Sequence, residues 1–141
     1  MKTISVTFFV ILISFFTLSG CTNRSKIKKS SSSSWIDGLW QGTGYQIDLE
    51  NDNQWSISLK IDSKRNIYTI NYLSIPCRGQ WELISISDEQ AFFKETIHKG
   101  RNLCVNKGKI VLSKIDENTL IYSFFNPGEK KANAFSTLIK N

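Results

Sequence analysis

The chain has 141 residues, of which 40% are hydrophobic and 21% are charged, and its formal net charge is +6. Five of the 18 basic residues lie within the first 29 positions, so the segment 35–141 carries 13 basic and 12 acidic residues. A near-neutral domain lacks the basic surface that nucleic acid requires, which excludes this class of partner. The length of the segment suits one domain with a single core.

Residues 1–20 have the layout of an export signal. Lys2 supplies a positive start, and an apolar stretch of about 15 residues follows it. That stretch is shorter than the roughly 20 residues of a membrane-spanning helix, and no later segment of the sequence approaches this length. We therefore interpret residues 1–20 as a signal peptide and leave them out of the fold.

The segment ends with Leu18, Ser19 and Gly20, and Cys21 follows it. These residues resemble the lipobox of bacterial lipoproteins, and the alternative is an ordinary secretory signal with a chance cysteine. The resemblance implies that Cys21 becomes the mature N-terminus and carries a diacylglyceryl group, whose acyl chains would anchor the protein in a membrane. Thr22 follows where, by the same resemblance, an Asp favours the inner membrane. We expect a lipid-anchored protein of the bacterial cell envelope, on the outer membrane facing the periplasm in a Gram-negative cell.

Residues 21–34 form a polar segment behind this cysteine. Ile27 is the one apolar side chain from position 22 to 34, a composition that predicts a flexible tether. The tether also contains four basic residues: Arg24, Lys26, Lys28 and Lys29. Next to a membrane, each basic residue would gain about 1 kcal/mol against anionic headgroups. Plain solvation of these charges is an equally good interpretation.

Residues 35–141 alternate between apolar and polar positions, and turn residues interrupt them about every 8 to 12 positions. Trp55, Ile57, Leu59 and Ile61 form one such row. The pattern predicts eight strands, at residues 39–46, 54–61, 67–72, 79–87, 90–97, 109–114, 119–126 and 132–139. We expect an all-β fold, an antiparallel meander that closes into a small barrel, with a β-sandwich as the alternative. Side chains just fill an eight-stranded barrel, or it holds one small ligand.

The stretch GLWQGTG, residues 38–44, begins the first predicted strand. Its glycines suggest a phosphate-binding loop, but no helix pattern follows them. Glycine in a strand more often marks a bend or bulge. We therefore expect a barrel corner here, with Trp40 pointing inward as a plug.

Cys77 and Cys104 are the cysteines that remain once Cys21 is acylated, and an exported pair is expected to be oxidised. They flank the predicted strands 79–87 and 90–97, at ends that a hairpin brings together. Their bond would close a loop of about 27 residues and stabilise the fold by roughly 3 to 4 kcal/mol. The alternative, a metal site, has only these two thiols and His98 as ligands. We predict a disulfide, no metal and no cofactor.

Glu95 lies in AFFKETIHKG, where alternation places it on one face with Phe93 and Ile97. If that face is the core, the carboxylate points inward, where it is costly unless paired. Arg78 and Arg101 each lie near a cysteine, so we hypothesise a buried ion pair between one of them and Glu95. The alternative places Glu95 on the exposed face.

Motifs for catalysis are missing from the sequence. It contains no paired carboxylates, nucleophile elbow, P-loop or HExxH pattern. His98, the single histidine, stands at a predicted strand end with no nucleophile nearby and is best interpreted as a surface residue. We therefore expect a protein that is not an enzyme.

A spaced pattern runs through residues 68–112: a Tyr-x-Ile-x-Tyr strand, a Cys-x-Gly segment, a Glu-x-Ile strand and a second cysteine. Its positions are Tyr68, Ile70, Tyr72, Cys77, Gly79, Trp81, Glu95, Ile97, Gly100, Cys104 and Gly108. The pattern resembles a poorly characterised domain of exported bacterial proteins, and this resemblance implies no known activity. A looser, architectural resemblance connects the predicted barrel with bacterial lipoproteins that inhibit lysozyme.

These observations lead to an expected function of binding or structural type. We expect a lipid-anchored, non-catalytic envelope protein whose barrel binds another envelope component. The alternatives are an inhibitor of a cell-wall hydrolase such as lysozyme and a carrier of a small apolar ligand. A carrier needs an unfilled interior. An inhibitor needs a polar, acidic loop, whereas the loops RNLCVNKG and NPGEKK are basic, as lysozymes usually are.

Overall fold

The computed structural model describes residues 32–47 and 54–141. Cys21, the predicted signal peptide and most of the predicted tether lie outside this part of the chain. A short 3₁₀ helix, Ser32–Ile36, leads into the first strand, and a second, Ser63–Arg65, connects β2 to β3. The strands are β1 Gly38–Gln46, β2 Gln54–Asp62, β3 Ile67–Tyr72, β4 Cys77–Ile86, β5 Gln90–Lys99, β6 Lys109–Lys114, β7 Thr119–Phe125 and β8 Ala134–Lys140.

The eight strands form one closed antiparallel barrel in which each strand pairs with the next in sequence. Closure is made by β1 and β8, where Gly42 lies opposite Leu138 and Tyr45 opposite Phe135. The predicted meander barrel is confirmed, and the β-sandwich alternative is wrong. Every predicted strand is present, and no strand end differs from its prediction by more than two residues.

Alternation of side chains explains why these segments form strands around one core. In β3, Tyr68, Ile70 and Tyr72 are buried while the residues between them are partly exposed. In β5, Phe93, Glu95 and Ile97 are buried in the same way. One contiguous cluster of buried apolar side chains therefore fills most of the interior.

The first 3₁₀ helix closes one end of the barrel, which we call the closed end. Ile36 and Trp40 are completely buried, and the Trp40 indole N–H donates to the Ile36 carbonyl at 2.8 Å. The Trp35 indole N–H donates to the carbonyl of Ser87 in the β4–β5 turn at 2.9 Å. The inward orientation of Trp40 is confirmed. The helix begins at Ser32, so the folded domain includes the last residues of the predicted tether.

Gly42 shows why the first strand is rich in glycine. A Cβ atom at this position would lie 2.3 Å from the Thr137 carbonyl oxygen and 2.7 Å from Ser136 Oγ of β8. The close approach of β8 therefore requires glycine here, which is a structural role and not a phosphate-binding one. Within the described residues, no helix is long and apolar enough to cross a bilayer.

Candidate functional site: a pocket with a buried carboxylate

The opposite end of the barrel, the open end, contains a pocket of about 180 Å³. It lies among the β3–β4, β5–β6 and β7–β8 loops and the strand ends next to them. Its lining residues are Gln46, Trp55, Tyr72, Ile75, Glu95, Leu103, Cys104, Val105, Tyr122, Phe124, Asn126, Asn133 and Ala134. Most of these side chains are apolar or aromatic. We call this cavity the open-end pocket.

A carboxylate lies in the wall of the open-end pocket. Glu95 is only 1% exposed, so of the two orientations that the sequence left open the inward one is present. Its Oε1 atom accepts hydrogen bonds from the Tyr72 hydroxyl at 2.5 Å and the Trp81 indole N–H at 3.0 Å. Trp81 lies directly opposite Glu95 in the β4–β5 pairing. Both hydrogen bonds reach the same oxygen, and Oε2 receives none from the part of the chain that the structure describes.

The hydrogen bonds continue from Glu95 to a second tyrosine. The hydroxyl oxygens of Tyr72 and Tyr122 are 3.2 Å apart. An ionised carboxylate only accepts hydrogen bonds, so the Tyr72 proton points to Glu95. Tyr122 must then donate to the Tyr72 oxygen. The site is therefore a directed chain of hydrogen bonds that runs from Tyr122 through Tyr72 to Glu95.

Burial governs how this chain titrates. Removal from water raises the pKa of Glu95 above its ordinary value, and the hydrogen bonds from Tyr72 and Trp81 partly oppose that rise. Burial also raises the pKa of Tyr72 and of Tyr122 well above the usual value, and the nearby Glu95 charge adds to both shifts. Both tyrosines therefore keep their protons, and Glu95 is the member of the chain that changes charge.

The hypothesis of a buried ion pair is wrong. Arg78 points outward from β4 because it alternates with the buried Cys77 and Gly79. Arg101 is exposed in the β5–β6 loop, where its Nε donates to the Ile97 carbonyl at 2.7 Å. In the described residues, the salt bridges that occur join other pairs, Arg65 with Asp62 and Lys114 with Glu117.

The predicted disulfide between Cys77 and Cys104 is present, with the two Cα atoms 6.4 Å apart. It ties the first residue of β4 to the β5–β6 loop at the open end. Gly100 allows this approach, since its φ is +80° and a Cβ there would lie 2.7 Å from the Cys77 sulfur. The disulfide therefore holds one wall of the pocket in place.

The rim of the pocket is apolar on one side and polar on the other. Leu103 and Val105, on either side of Cys104, are 66% and 47% exposed. On the other side, Asn133 Nδ2 donates to Glu129 Oε2 at 2.6 Å, and the backbone N–H of Asn126 donates to Asn133 Oδ1 at 2.7 Å. These bonds order the β7–β8 loop. The bond from Asn133, together with one from Asn126 Nδ2 to Glu129 Oε1 at 3.2 Å, lowers the pKa of Glu129. The rim thus presents unpaired apolar surface beside an ordered polar loop.

The sequence left the orientation of Glu95 open between the core and the exposed face, and it did not reveal the partners of the carboxylate. Tyr72, Trp81 and Tyr122 all lie on inward-facing rows of their strands, which the alternation pattern shows. Buried tyrosine hydroxyls and indole N–H groups usually need a hydrogen-bond partner, and this requirement was the available signal. His98 is exposed, as predicted, and does not line the pocket.

Comparison with known proteins adds no family. No protein-family model matches the chain, and no curated protein matches it. Function must therefore be argued from the open-end pocket.

Proposed function

We propose that this protein is a non-catalytic binding module of the bacterial cell envelope, held at a membrane by lipid on Cys21, and that it binds through the open-end pocket. The observation that carries the proposal is the pocket itself. It is a concave, mainly apolar site with a few convergent polar groups, the arrangement typical of ligand-binding sites. Its exposed apolar rim at Leu103 and Val105 adds surface that water solvates poorly.

The size of the pocket favours a small ligand or a single side chain of a partner. A cavity of about 150 Å³ holds one benzene molecule, so a pocket of about 180 Å³ suits a group of about one ring. A small-ligand carrier is therefore the second candidate function. An inhibitor of a basic hydrolase is less well supported, because the β5–β6 rim loop carries Arg101 and Lys107, which would repel it.

The anchor is tested by changing Cys21 to Ala in the producing cell. We expect the wild-type chain in the membrane fraction and the variant outside it, because the acyl chains supply the attachment. Metabolic labelling with a fatty acid checks that the lipid depends on this cysteine. A variant that stays in the membrane fraction contradicts the proposed anchor.

The pocket is tested by cross-linking in the intact envelope, combined with mass spectrometry of small molecules that co-purify. Leu103→Asp places a charge on the rim, and Ile115→Asp places the same charge in the exposed β6–β7 turn at the other end. We expect Leu103→Asp to lose the molecules that the wild type captures and Ile115→Asp to retain them. Equal capture by both variants would show that binding does not use the open end.

A further inference from the structure

The acidic side chain of the open-end pocket has no basic partner among the described residues. Its described lining residues include Glu95 but no Lys, Arg or His. The groups that contact the carboxylate, the Tyr72 hydroxyl and the Trp81 indole, are neutral donors. A buried carboxylate without an opposite charge is costly, because neutral donors replace only part of its lost hydration. When Glu95 is ionised, the described residues therefore leave its charge uncompensated.

The geometry leaves one carboxylate oxygen for a donor in the pocket. Tyr72 and Trp81 both occupy Oε1, and Oε2 receives no hydrogen bond from the described residues. A carboxylate accepts several hydrogen bonds, and those from charged donors are the strongest. A ligand with N–H groups would thus complete both the charge and the hydrogen bonding.

Aromatic rings form much of the remaining wall. Trp55, Tyr72, Tyr122 and Phe124 line the pocket, and Trp55 meets Tyr72 edge to face with ring centroids 6.5 Å apart. The faces of aromatic rings attract cations, most strongly where water is excluded. A ring whose face meets the ligand would therefore favour the same sign of charge as Glu95 does.

We infer that the open-end pocket binds a small organic cation, an ammonium or amidinium group on a compact apolar body, with its N–H groups on Glu95 and its body against the aromatic wall. The inference rests on the proposed function, because it takes the open-end pocket as the binding site. The volume of about 180 Å³ limits the body to about one ring.

The test uses three probes of nearly equal shape: benzylammonium, benzyl alcohol and benzoate. Each is titrated into the purified full chain at mildly alkaline pH, which favours the ionised form of Glu95 over the protonated one. The readout is the NMR signal of each indole N–H, because Trp81 contacts Glu95 while Trp35 and Trp40 lie at the closed end. We expect benzylammonium to shift Trp81 saturably and to leave Trp35 and Trp40 unchanged. Benzyl alcohol should bind at least about tenfold more weakly, and benzoate should not saturate the signal.

Glu95→Gln removes the charge alone, because the Gln side-chain oxygen can still accept hydrogen bonds from Tyr72 and Trp81. We expect it to weaken the binding of benzylammonium roughly 30-fold or more, which is the effect of removing one partner from a buried charge pair. The binding of benzyl alcohol should change by less than about twofold. Glu82→Gln is the matched control, because Glu82 is exposed on the outside of β4. It should leave all affinities unchanged. If Glu95→Gln does not fold, the selectivity of the wild-type chain among the three probes decides.

Two results would overturn the inference and leave the proposed binding function standing. One is benzyl alcohol or benzoate binding as tightly as benzylammonium. The other is benzylammonium binding that persists in folded Glu95→Gln. If no probe shifts Trp81, the inference also fails, and the proposed function is then judged by the capture experiment with the rim variants.

Discussion

The two ends of the barrel differ in how they treat polar groups. At the closed end, the indole N–H groups of Trp35 and Trp40 bond to backbone carbonyls, and the packing around them is apolar. At the open end, Glu95 is buried with neutral partners on one of its oxygens. The same sheet thus supports an end built for stability and an end that buries an acidic group at a cost in stability. A buried group that stability alone does not explain is expected at functional sites.

Truncating the closed end should give the largest effect. Trp40→Ala removes a completely buried indole, and we expect a loss of about 3 to 5 kcal/mol in the free energy of unfolding. Trp55→Ala, at the half-buried wall of the open end, is the comparison and should lose less than half as much. Urea unfolding measures both. Equal losses would show that the closed end does not contribute more to stability than the open end.

The disulfide should have the next largest effect. Replacing Cys77 and Cys104 by Ser opens a loop with a sequence separation of 27, and the chain-entropy model gives a loss of about 3.5 kcal/mol. Amide hydrogen exchange should show lost protection in the β5–β6 loop and retained protection around Trp40. Wild-type protein under reducing conditions is the control, and it should lose protection in the same loop as the variant. Uniform loss of protection would show that the disulfide is not a local support of the open end.

Shortening the hydrogen-bond chain should have a smaller effect. Tyr122→Phe removes the hydroxyl that donates to Tyr72 but keeps the ring stacked on Trp81, with centroids 5.9 Å apart. We expect a loss of about 0.5 to 1.5 kcal/mol, the usual contribution of one hydrogen bond. Tyr45→Phe, on the partly exposed ring that stacks on Phe135, should change stability by less than about 0.5 kcal/mol. Equal effects in thermal or urea unfolding would mean that the hydrogen-bond chain adds nothing to stability.

The pH dependence should be the smallest effect. Burial raises the pKa of Glu95 in the folded chain above its unfolded value, so between these two values the folded chain binds more protons. Linkage then requires this contribution to stability to be present at acid pH and lost as pH rises through the folded pKa. The free energy of unfolding of the wild type minus that of Glu95→Gln should therefore decline from acid to neutral pH. A difference that rises with pH contradicts this sign.

The sequence predicted the strands, the barrel and the disulfide because each depends on local alternation or on neighbouring hairpin ends. One partner of Glu95, Trp81, is hidden by a register shift. Counting back from the β4–β5 turn without a bulge puts Glu82 opposite Glu95. The shift between Leu83 and Ser85 puts Trp81 there instead. No turn residue marks that bulge, so alternation could not reveal it.

Other parts of the site depend on closure of the barrel. Tyr122 belongs to β7 and Tyr72 to β3, and these strands are not neighbours in the sheet. Their hydroxyls meet across the interior, a contact that only the curvature of the closed sheet creates. The sequence also did not predict the 3₁₀ helix that begins at Ser32, because its serines resemble a continuation of the polar tether.

The first 3₁₀ helix also sets a direction. The described chain reaches the barrel through this helix at the closed end, and the backbone N–H of Asn141 bonds to the Leu39 carbonyl at the same end. An anchor at Cys21 would therefore hold the barrel by the end that lacks the pocket. The nine residues of β1 rise about 3.3 Å each and lead to the other end. The mouth of the pocket would then lie at the end of the barrel away from the attachment, and a ligand would not have to pass the attached chain to reach it.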